Sequence, residues 1–197
     1  MTKLFLDEKK DLARARDHHG WTALHHAAYF GAESIPKLLL ESNTSVAYIE
    51  DNDRKMTALH LAAGRGKFQA VEEIISCCPD CCELVDDNGW NVLHFAMVSF
   101  YARQLARLLD KFPIVRSLIN DKDVKGNTPL HVLAAVCRDS ASISYVFRNL
   151  PGKSYYEAIN KQNISVQHIA SYGYPELEVI PSLVIINVLE REIYIYI

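Results

Sequence analysis

The stretch Thr22-Ala23-Leu24-His25 decides the fold, because the chain returns to it four more times. The later copies read Thr57-Ala58-Leu59-His60, Asn91-Val92-Leu93-His94, Thr128-Pro129-Leu130-His131 and, in a weaker form, Ser165-Val166-Gln167-His168. Successive histidines are separated by 35, 34, 37 and 37 residues. A near-constant period in this range predicts stacked repeat units rather than one globular core.

Each copy has the pattern of a helix start. Its first residue is Thr, Asn or Ser, all of which cap the unpaired amides of a first helical turn. A glycine or asparagine ahead of the cap predicts a tight turn with positive φ; in the second copy, shifted residues around Lys55 take this place. Eight residues before each histidine stands an Asp or Asn that we expect to bond its own turn backbone, namely Asp17, Asn52, Asp86, Asp123 and Asn160. Each unit is therefore predicted to be a turn, a capped helix, a short loop and a second helix.

The repeats resemble the ankyrin consensus. The resemblance lies in Asp17-x-x-Gly20-x-Thr22-Ala23-Leu24-His25-x-Ala27-Ala28-x-x-Gly31 and in Asp123-x-x-Gly126-Asn127-Thr128-Pro129-Leu130-His131. The stretches 77–85, 89–97 and 160–163 are similar to plant ankyrin proteins of the accelerated-cell-death type. That resemblance implies an all-α ankyrin solenoid. Those relatives also carry a C-terminal membrane domain, the PGG domain, for which this chain shows no segment.

The period divides the chain into seven segments. Residues 1–16 match the second half of a preceding repeat, so the chain is expected to begin in mid-repeat and to use this half as an N-terminal cap. The expected repeats are 17–50, 51–85, 86–122 and 123–159, followed by a degenerate unit at 160–174 and a non-repeat tail at 175–197. The apolar part of the tail is too short and too interrupted for a transmembrane helix. One interpretation is that residues 182–192 form a helix that covers the end of the stack.

Composition excludes several function classes. The 197 residues carry a formal net charge of −3 and no long basic run, which argues against nucleic-acid binding. The N-terminus lacks the apolar core of a secretory signal. Five cysteines, four of them crowded at 77–82, do not resemble a secreted disulfide framework. We therefore expect a cytoplasmic monomer without a cofactor; the resemblance adds the cytoplasmic face of the plasma membrane.

The histidines and the cysteine cluster are the residues that favour a metal, catalytic or redox site, and packing or turn bonding explains both more simply. Five of the eight histidines occupy the repeat position, where the family's histidine bonds turn backbone, so neither a metal site nor a catalytic residue is predicted. Cys81 and Cys82 align with the packing positions Val46 and Ala47, although a redox or zinc sensor at Cys77–Cys82 remains an alternative. Gly64-Arg65-Gly66-Lys67 lacks the P-loop spacing. No enzyme is predicted.

The remaining candidate is a recognition surface. In an ankyrin stack the turn tips and one side of the first helices line a concave face, and Trp, Tyr and Arg dominate binding hot spots. The predicted protein-binding residues are His18, His19, Trp21, Tyr29, Phe30, Arg54, Met56, Arg65, Asn88, Trp90, Lys125 and Asn127. The predicted function is a scaffold that binds other proteins, by resemblance in plant defence or stress signalling. A truncated structural repeat segment that binds nothing alone is the other alternative.

Overall fold

The computed structural model describes residues 12–137, 144–146, 148, 150, 155 and 157–172. The expected tail at 175–197, most of the N-terminal half-repeat and much of the second half of the fourth repeat lie outside these residues. The chain divides into two compact units, Met1–Val92 and Leu93–Ile197. We describe each unit by itself.

The first unit contains two helical hairpins. The helices are α1 Ala23–Phe30, α2 Ile35–Ser42, α3 Ala58–Gly64 and α4 Phe68–Cys77. Short 3-10 helices at Leu12–Arg14, Thr44–Tyr48 and Pro79–Glu83 connect the hairpins to their turns. The first helices α1 and α3 pack on each other, and so do the second helices α2 and α4. Two layers of parallel-stacked hairpins result, as the period predicts.

Local sequence sets the ends of these helices. Gly31 ends α1 in the left-handed conformation, with φ 70°, which a glycine adopts without a Cβ clash. A Cβ there would meet the Lys67 side chain at 2.7 Å, so the close approach of the next loop also requires glycine. Pro36 lies in the first turn of α2, where a proline is tolerated. The core of the first unit is aliphatic, with Leu24, Leu59 and Ile74 almost completely buried.

The second unit continues the helical pattern. Its helices are α5 Val92–Ser99, which begins at the unit boundary, α6 Ala102–Lys111, α7 Pro113–Ser117, α8 Pro129–Val136 and α9 Val166–Tyr172. A 3-10 helix covers Leu118–Asn120. The first-type helices α8 and α9 pack together, and Gln167, which replaces the repeat leucine, is exposed on α9. Within the described residues, β pairing is limited to isolated bridges at Glu50–Thr57 and Ile159–Ser165, so the fold class is all-α.

Candidate protein-binding surface

The turns that carry the candidate surface are built by an Asp or Asn side chain. One oxygen, Oδ1, accepts hydrogen bonds from backbone N–H groups two and four residues on. Asp17 accepts from His19 and Trp21, each at 2.9 Å. Asp86, Asp123 and Asn160 repeat the arrangement at 2.8–3.0 Å. The predicted bonding of these side chains to their own turns is confirmed.

The second repeat corrects one predicted position. Its turn is held by Asp51, whose Oδ1 accepts from the backbone N–H of Arg54 and of Met56 at 2.9 and 3.0 Å. The loop is one residue longer, and Lys55 provides the positive φ of 57°. Asn52, which the fixed spacing selects, instead bonds the preceding turn: its side-chain amide donates to the carbonyl of His18.

The buried repeat histidines bond each helix start to a backbone carbonyl group that lies 24 to 33 residues further along the chain. In α3, His60 Nδ1 accepts from the Thr57 backbone N–H at 3.1 Å, and Nε2 lies 3.0 Å from the Leu84 carbonyl oxygen. This pairing fixes the tautomer with the proton on Nε2. The same bridge joins His25 to Met56, His94 to Asn127 and His131 to Ile164. His168 differs, because its ring is exposed and lies against Tyr172 with ring centroids 5.1 Å apart.

Burial favours the neutral form of three repeat histidines. It lowers the pKa of His25 and His131 below 6.5 and lowers the pKa of His60 to about 4. A neutral imidazole that bonds at both nitrogens has no free nitrogen for a metal or a substrate. The predicted structural role of the repeat histidines therefore explains both hydrogen bonds of each buried ring; His168, whose ring is exposed, is the exception.

Three predicted binding residues lie inside the protein. Met56, Trp90 and Asn127 are only 4%, 2% and 1% exposed. Each directly precedes a helix cap, and the carbonyl groups of Met56 and Asn127 receive the histidine bridges. Asn127 also accepts from the side-chain amide of Asn160 at 2.9 Å. This position packs within the stack, so the prediction that these three residues face a partner is wrong.

The other predicted residues are at least partly exposed, but they lie in different surroundings. His18, His19, Asn88 and Lys125 are exposed at turn tips. Arg54 is half-buried because its guanidinium is paired with the fully buried carboxylate of Asp86. Arg54 therefore links the second turn to the third, and this link occupies its charged group.

The strongest feature of the first unit is an aromatic cluster on one side of α1. Trp21 lies 5.2 Å from Tyr29 between ring centroids, and Tyr29 lies 5.2 Å from Phe30 in an edge-on arrangement. The Arg65 guanidinium sits 4.6 Å from the Tyr29 ring centre, a cation–π distance. Phe30 is 69% exposed although it is a large apolar side chain. We refer to Trp21, Tyr29, Phe30 and Arg65 as the aromatic face.

Histidines and carboxylates border the aromatic face. His26, which the sequence did not single out as a contact residue, packs on Trp21 with centroids 5.1 Å apart, and its Nε2 lies 3.0 Å from Asp17 Oδ2. The ring of His19 lies 3.6 Å from the Asp53 carboxylate. The three-residue spacing of His26 and Tyr29, which places both on one side of α1, could have revealed His26. This border is polar around an apolar centre, as in protein interfaces.

The cysteine cluster has the properties of packed core. Cys78, Cys81 and Cys82 are at most 3% exposed. Burial raises the pKa of the Cys77 and Cys78 thiols, and the pKa of Cys81 is raised strongly, first by its hydrogen bond with Cys82 and then by burial. Reactive and metal-binding cysteines need the opposite shift, toward the thiolate.

The described residues contain neither a cluster of metal-ligating side chains nor a helix that could span a membrane. No group of three or more His, Cys, Asp or Glu side chains in the described part of the chain could hold a metal ion. Within the same residues, no helix combines the length and the apolar character that crossing a membrane requires.

Comparisons with known proteins agree with this architecture. The family profile described as Ankyrin repeat matches residues 19–52. The chain is 28% identical over 145 residues to the target of rapamycin complex 2 subunit AVO2 of Saccharomyces cerevisiae, a match that covers 73% of this chain and 32% of that protein. It is 41% identical over 88 residues to the transient receptor potential cation channel subfamily A member 1 of Homo sapiens, covering 44% of this chain and 8% of the channel subunit. The chain thus spans a third or less of each of these relatives.

A solved structure has the same fold. It is the complex of the predatory endopeptidase Bd0816 from Bdellovibrio bacteriovorus with immunity protein Bd3460. The match has a TM-score of 0.67 and 23% identity, and it covers 87% of this chain and 84% of that one. At this identity the likeness concerns the fold alone. The turns and the histidine bonds form an all-α solenoid of the ankyrin-repeat type, and residues 19–52 match the ankyrin-repeat family.

Proposed function

We propose that the chain is a non-enzymatic scaffold that holds another protein on the aromatic face of its first unit. The observation that carries this proposal is the exposure of Phe30 within a cluster of other aromatic rings. Exposed apolar surface gives favourable free energy of binding when a partner removes it from water, and exposed apolar patches often mark interaction sites. Trp, Tyr and Arg are also the side chains that most often dominate binding energy at interfaces.

The arrangement of the face supports binding. Tyr29 is held between Trp21 and the Arg65 guanidinium, so it loses little conformational freedom when a partner arrives. Trp21 Nε1 is buried without a hydrogen-bond partner among the described residues, so this ring contributes apolar area rather than a polar contact. An apolar side chain of a partner is the group that fits beside Phe30.

The finer biological setting rests on resemblance. Similarity of the stretches 77–85, 89–97 and 160–163 to plant ankyrin proteins of the accelerated-cell-death type supports a role in defence or stress signalling at the cytoplasmic face of the plasma membrane. Fractionation of plant cells that express the tagged chain tests this setting. Recovery with plasma-membrane proteins agrees with it, and uniform recovery in the soluble fraction contradicts it.

Truncation of Phe30 tests the binding proposal. Tagged wild-type chain and the Phe30→Ala variant are incubated with plant cell extract, and captured proteins are quantified by mass spectrometry. Tyr48→Ala is the matched control, because Tyr48 is an exposed aromatic residue of the same unit outside the aromatic face. We expect Phe30→Ala alone to lose specific partners.

Two results would contradict the proposal. Equal capture by all three proteins would mean that Phe30 is not a contact. Capture of no specific protein by the wild type would favour a structural repeat segment that needs further repeats to bind. Circular dichroism confirms that each variant remains helical.

A further inference from the structure

The aromatic face of the first unit has a cationic side chain at one end. Lys67 directly precedes α4, and its aliphatic stem lies against the end of α1. A Cβ at Gly31 would meet the Cδ and Cε atoms of Lys67 at 2.7 and 3.3 Å. Because Gly31 directly follows Phe30, the Lys67 ammonium lies within about 10 Å of the Phe30 Cα. Packing of the stem thus holds a positive charge beside the exposed ring.

The ammonium group of Lys67 is open to a partner. Among the residues that the structure describes, it has no hydrogen-bond or ion-pair partner. Glu33, which is exposed in the loop after α1, does not form an ion pair with it. Arg65 differs, because its guanidinium lies 4.6 Å from the centre of the Tyr29 ring. Lys67, rather than Arg65, is therefore the cation that a partner can pair with.

The other end of the aromatic face has the opposite charge. Asp17 lies in the turn before α1, with its Oδ2 3.0 Å from His26 Nε2. Asp53 lies in the turn before α3, with its Oδ2 3.6 Å from His19 Nδ1. An eight-residue helix such as α1 is about 12 Å long, so these carboxylates and Lys67 lie toward opposite ends of it. A carboxylate of a partner is repelled at the start of α1 and attracted at its end.

We propose, as a specific form of the function proposed above and resting on it, that the aromatic face binds an extended acidic segment of a partner protein. In this segment an apolar side chain and a carboxylate are two residues apart. The apolar side chain covers Phe30, which is 69% exposed, and the carboxylate pairs with Lys67. Side chains two residues apart on an extended chain point to the same side about 7 Å from each other, which fits the distance available between Phe30 and the ammonium.

A phosphorylated segment fits this surface less well. Proteins that recognise phosphate on a peptide generally use clustered arginines, because a guanidinium bonds two phosphate oxygens at once. The cation open to a partner here is a lysine, whose compact ammonium is a point charge that suits a single carboxylate. A phosphopeptide is therefore an outcome of the test rather than the expected partner.

Fluorescence polarisation tests the proposal with fluorescein-labelled extended peptides of about ten residues. Each has a leucine and, two residues later, glutamate, glutamine, lysine or phosphoserine in a serine–glycine sequence. The C-terminus is amidated, so the glutamate supplies the peptide's carboxylate. The peptides are titrated with the full chain and with Lys67→Glu, Phe30→Ala and Lys37→Glu. The last variant is the control, because it makes the same charge change at an exposed position of α2.

We expect the wild type to bind the glutamate peptide about tenfold more tightly than the lysine peptide, with the glutamine peptide between them. Lys67→Glu should reverse this order, because the new carboxylate attracts the lysine peptide, and Lys37→Glu should leave the order unchanged. The wild-type order in Lys67→Glu, or an equal reversal in Lys37→Glu, would overturn the proposal. So would binding of the phosphoserine peptide without binding of the glutamate peptide.

The Phe30→Ala variant separates this proposal from the function on which it rests. We expect it to weaken binding of every peptide, because the apolar contact is lost. Equal binding of the glutamate and lysine peptides to the wild type, with loss in Phe30→Ala, would refute the pairing with Lys67 and keep the aromatic face as a binding surface. If no peptide binds, the acidic segment is refuted, whereas capture of partners from cell extract still decides the scaffold function. Thermal melts monitored by circular dichroism verify that the variants fold.

Discussion

Acid should destabilise this protein as the pH falls below about 6.5, because burial lowers the pKa of three of its repeat histidines. The clearest case is His60, whose side chain is fully buried. Its Nδ1 accepts from the Thr57 N–H and its Nε2 donates to the Leu84 carbonyl. A proton added at Nδ1 would face another N–H donor, and the charge would be buried.

The size of the effect follows from the pKa of His60. Burial lowers this pKa from 6.5 to about 4. The unfolded chain therefore takes up a proton near pH 6.5, while the folded chain does so only near pH 4. Stability is complete above pH 6.5 and falls as the pH decreases toward 4. At about 1.4 kcal/mol per pKa unit, His60 alone removes about 2 kcal/mol by pH 5 and about 3 kcal/mol in all. His25 and His131, whose pKa values are also lowered by burial, act in the same direction.

Urea unfolding followed by circular dichroism measures this change at about pH 7.5 and pH 5. His60→Gln is the matched variant, since glutamine is polar but does not titrate. We expect the wild type to lose more free energy of unfolding than His60→Gln over this interval, by about 2 kcal/mol. Equal losses in the two proteins, or a wild type that gains stability in acid, would refute the assignment of His60 as a buried neutral bridge.

Three other predictions follow from packing. Leu59→Ala should cost about 2–5 kcal/mol in urea unfolding, since Leu59 is completely buried; a cost near zero would contradict the register. Arg54→Ala should lower the urea midpoint clearly more than Lys55→Ala, because Arg54 pairs with the buried carboxylate of Asp86. Lys55 forms only an exposed ion pair, with its Nζ 3.2 Å from Asp87 Oδ1. Equal effects of the two substitutions would argue against the buried ion pair. Ellman's reagent should react rapidly with at most two of the five thiols of the native chain, because three are buried, and rapid reaction of four or five would revive the sensor alternative.

The sequence predicted the repeat framework well, because each element depends on short-range chemistry. The cap, the turn carboxylate and the histidine lie within nine residues of one another, so their pattern is visible without a structure. The second repeat shows the limit of fixed spacing. An extra residue in its loop transfers the turn bond from Asn52 to Asp51, and Lys55 takes the positive φ that glycine usually provides.

The candidate surface was harder to predict, because exposure depends on neighbours that are distant in sequence. Trp21 and Trp90 hold the same repeat position, yet Trp21 is partly exposed and Trp90 is buried. Residue type at a repeat position therefore does not determine whether a side chain faces solvent. Phe30 is a large apolar residue that is nevertheless exposed to solvent at the end of α1.

The contact between the aromatic face and a partner protein is tested most directly by photo-crosslinking. A benzophenone amino acid replaces Phe30 in one protein and Tyr48 in a second, and both proteins are irradiated in plant cells. We expect a crosslinked partner at position 30 that is missing at position 48, and we expect this crosslink to be lost when Arg65 is also changed to alanine. Identical crosslinking patterns at the two positions, or no crosslink at position 30, would contradict it.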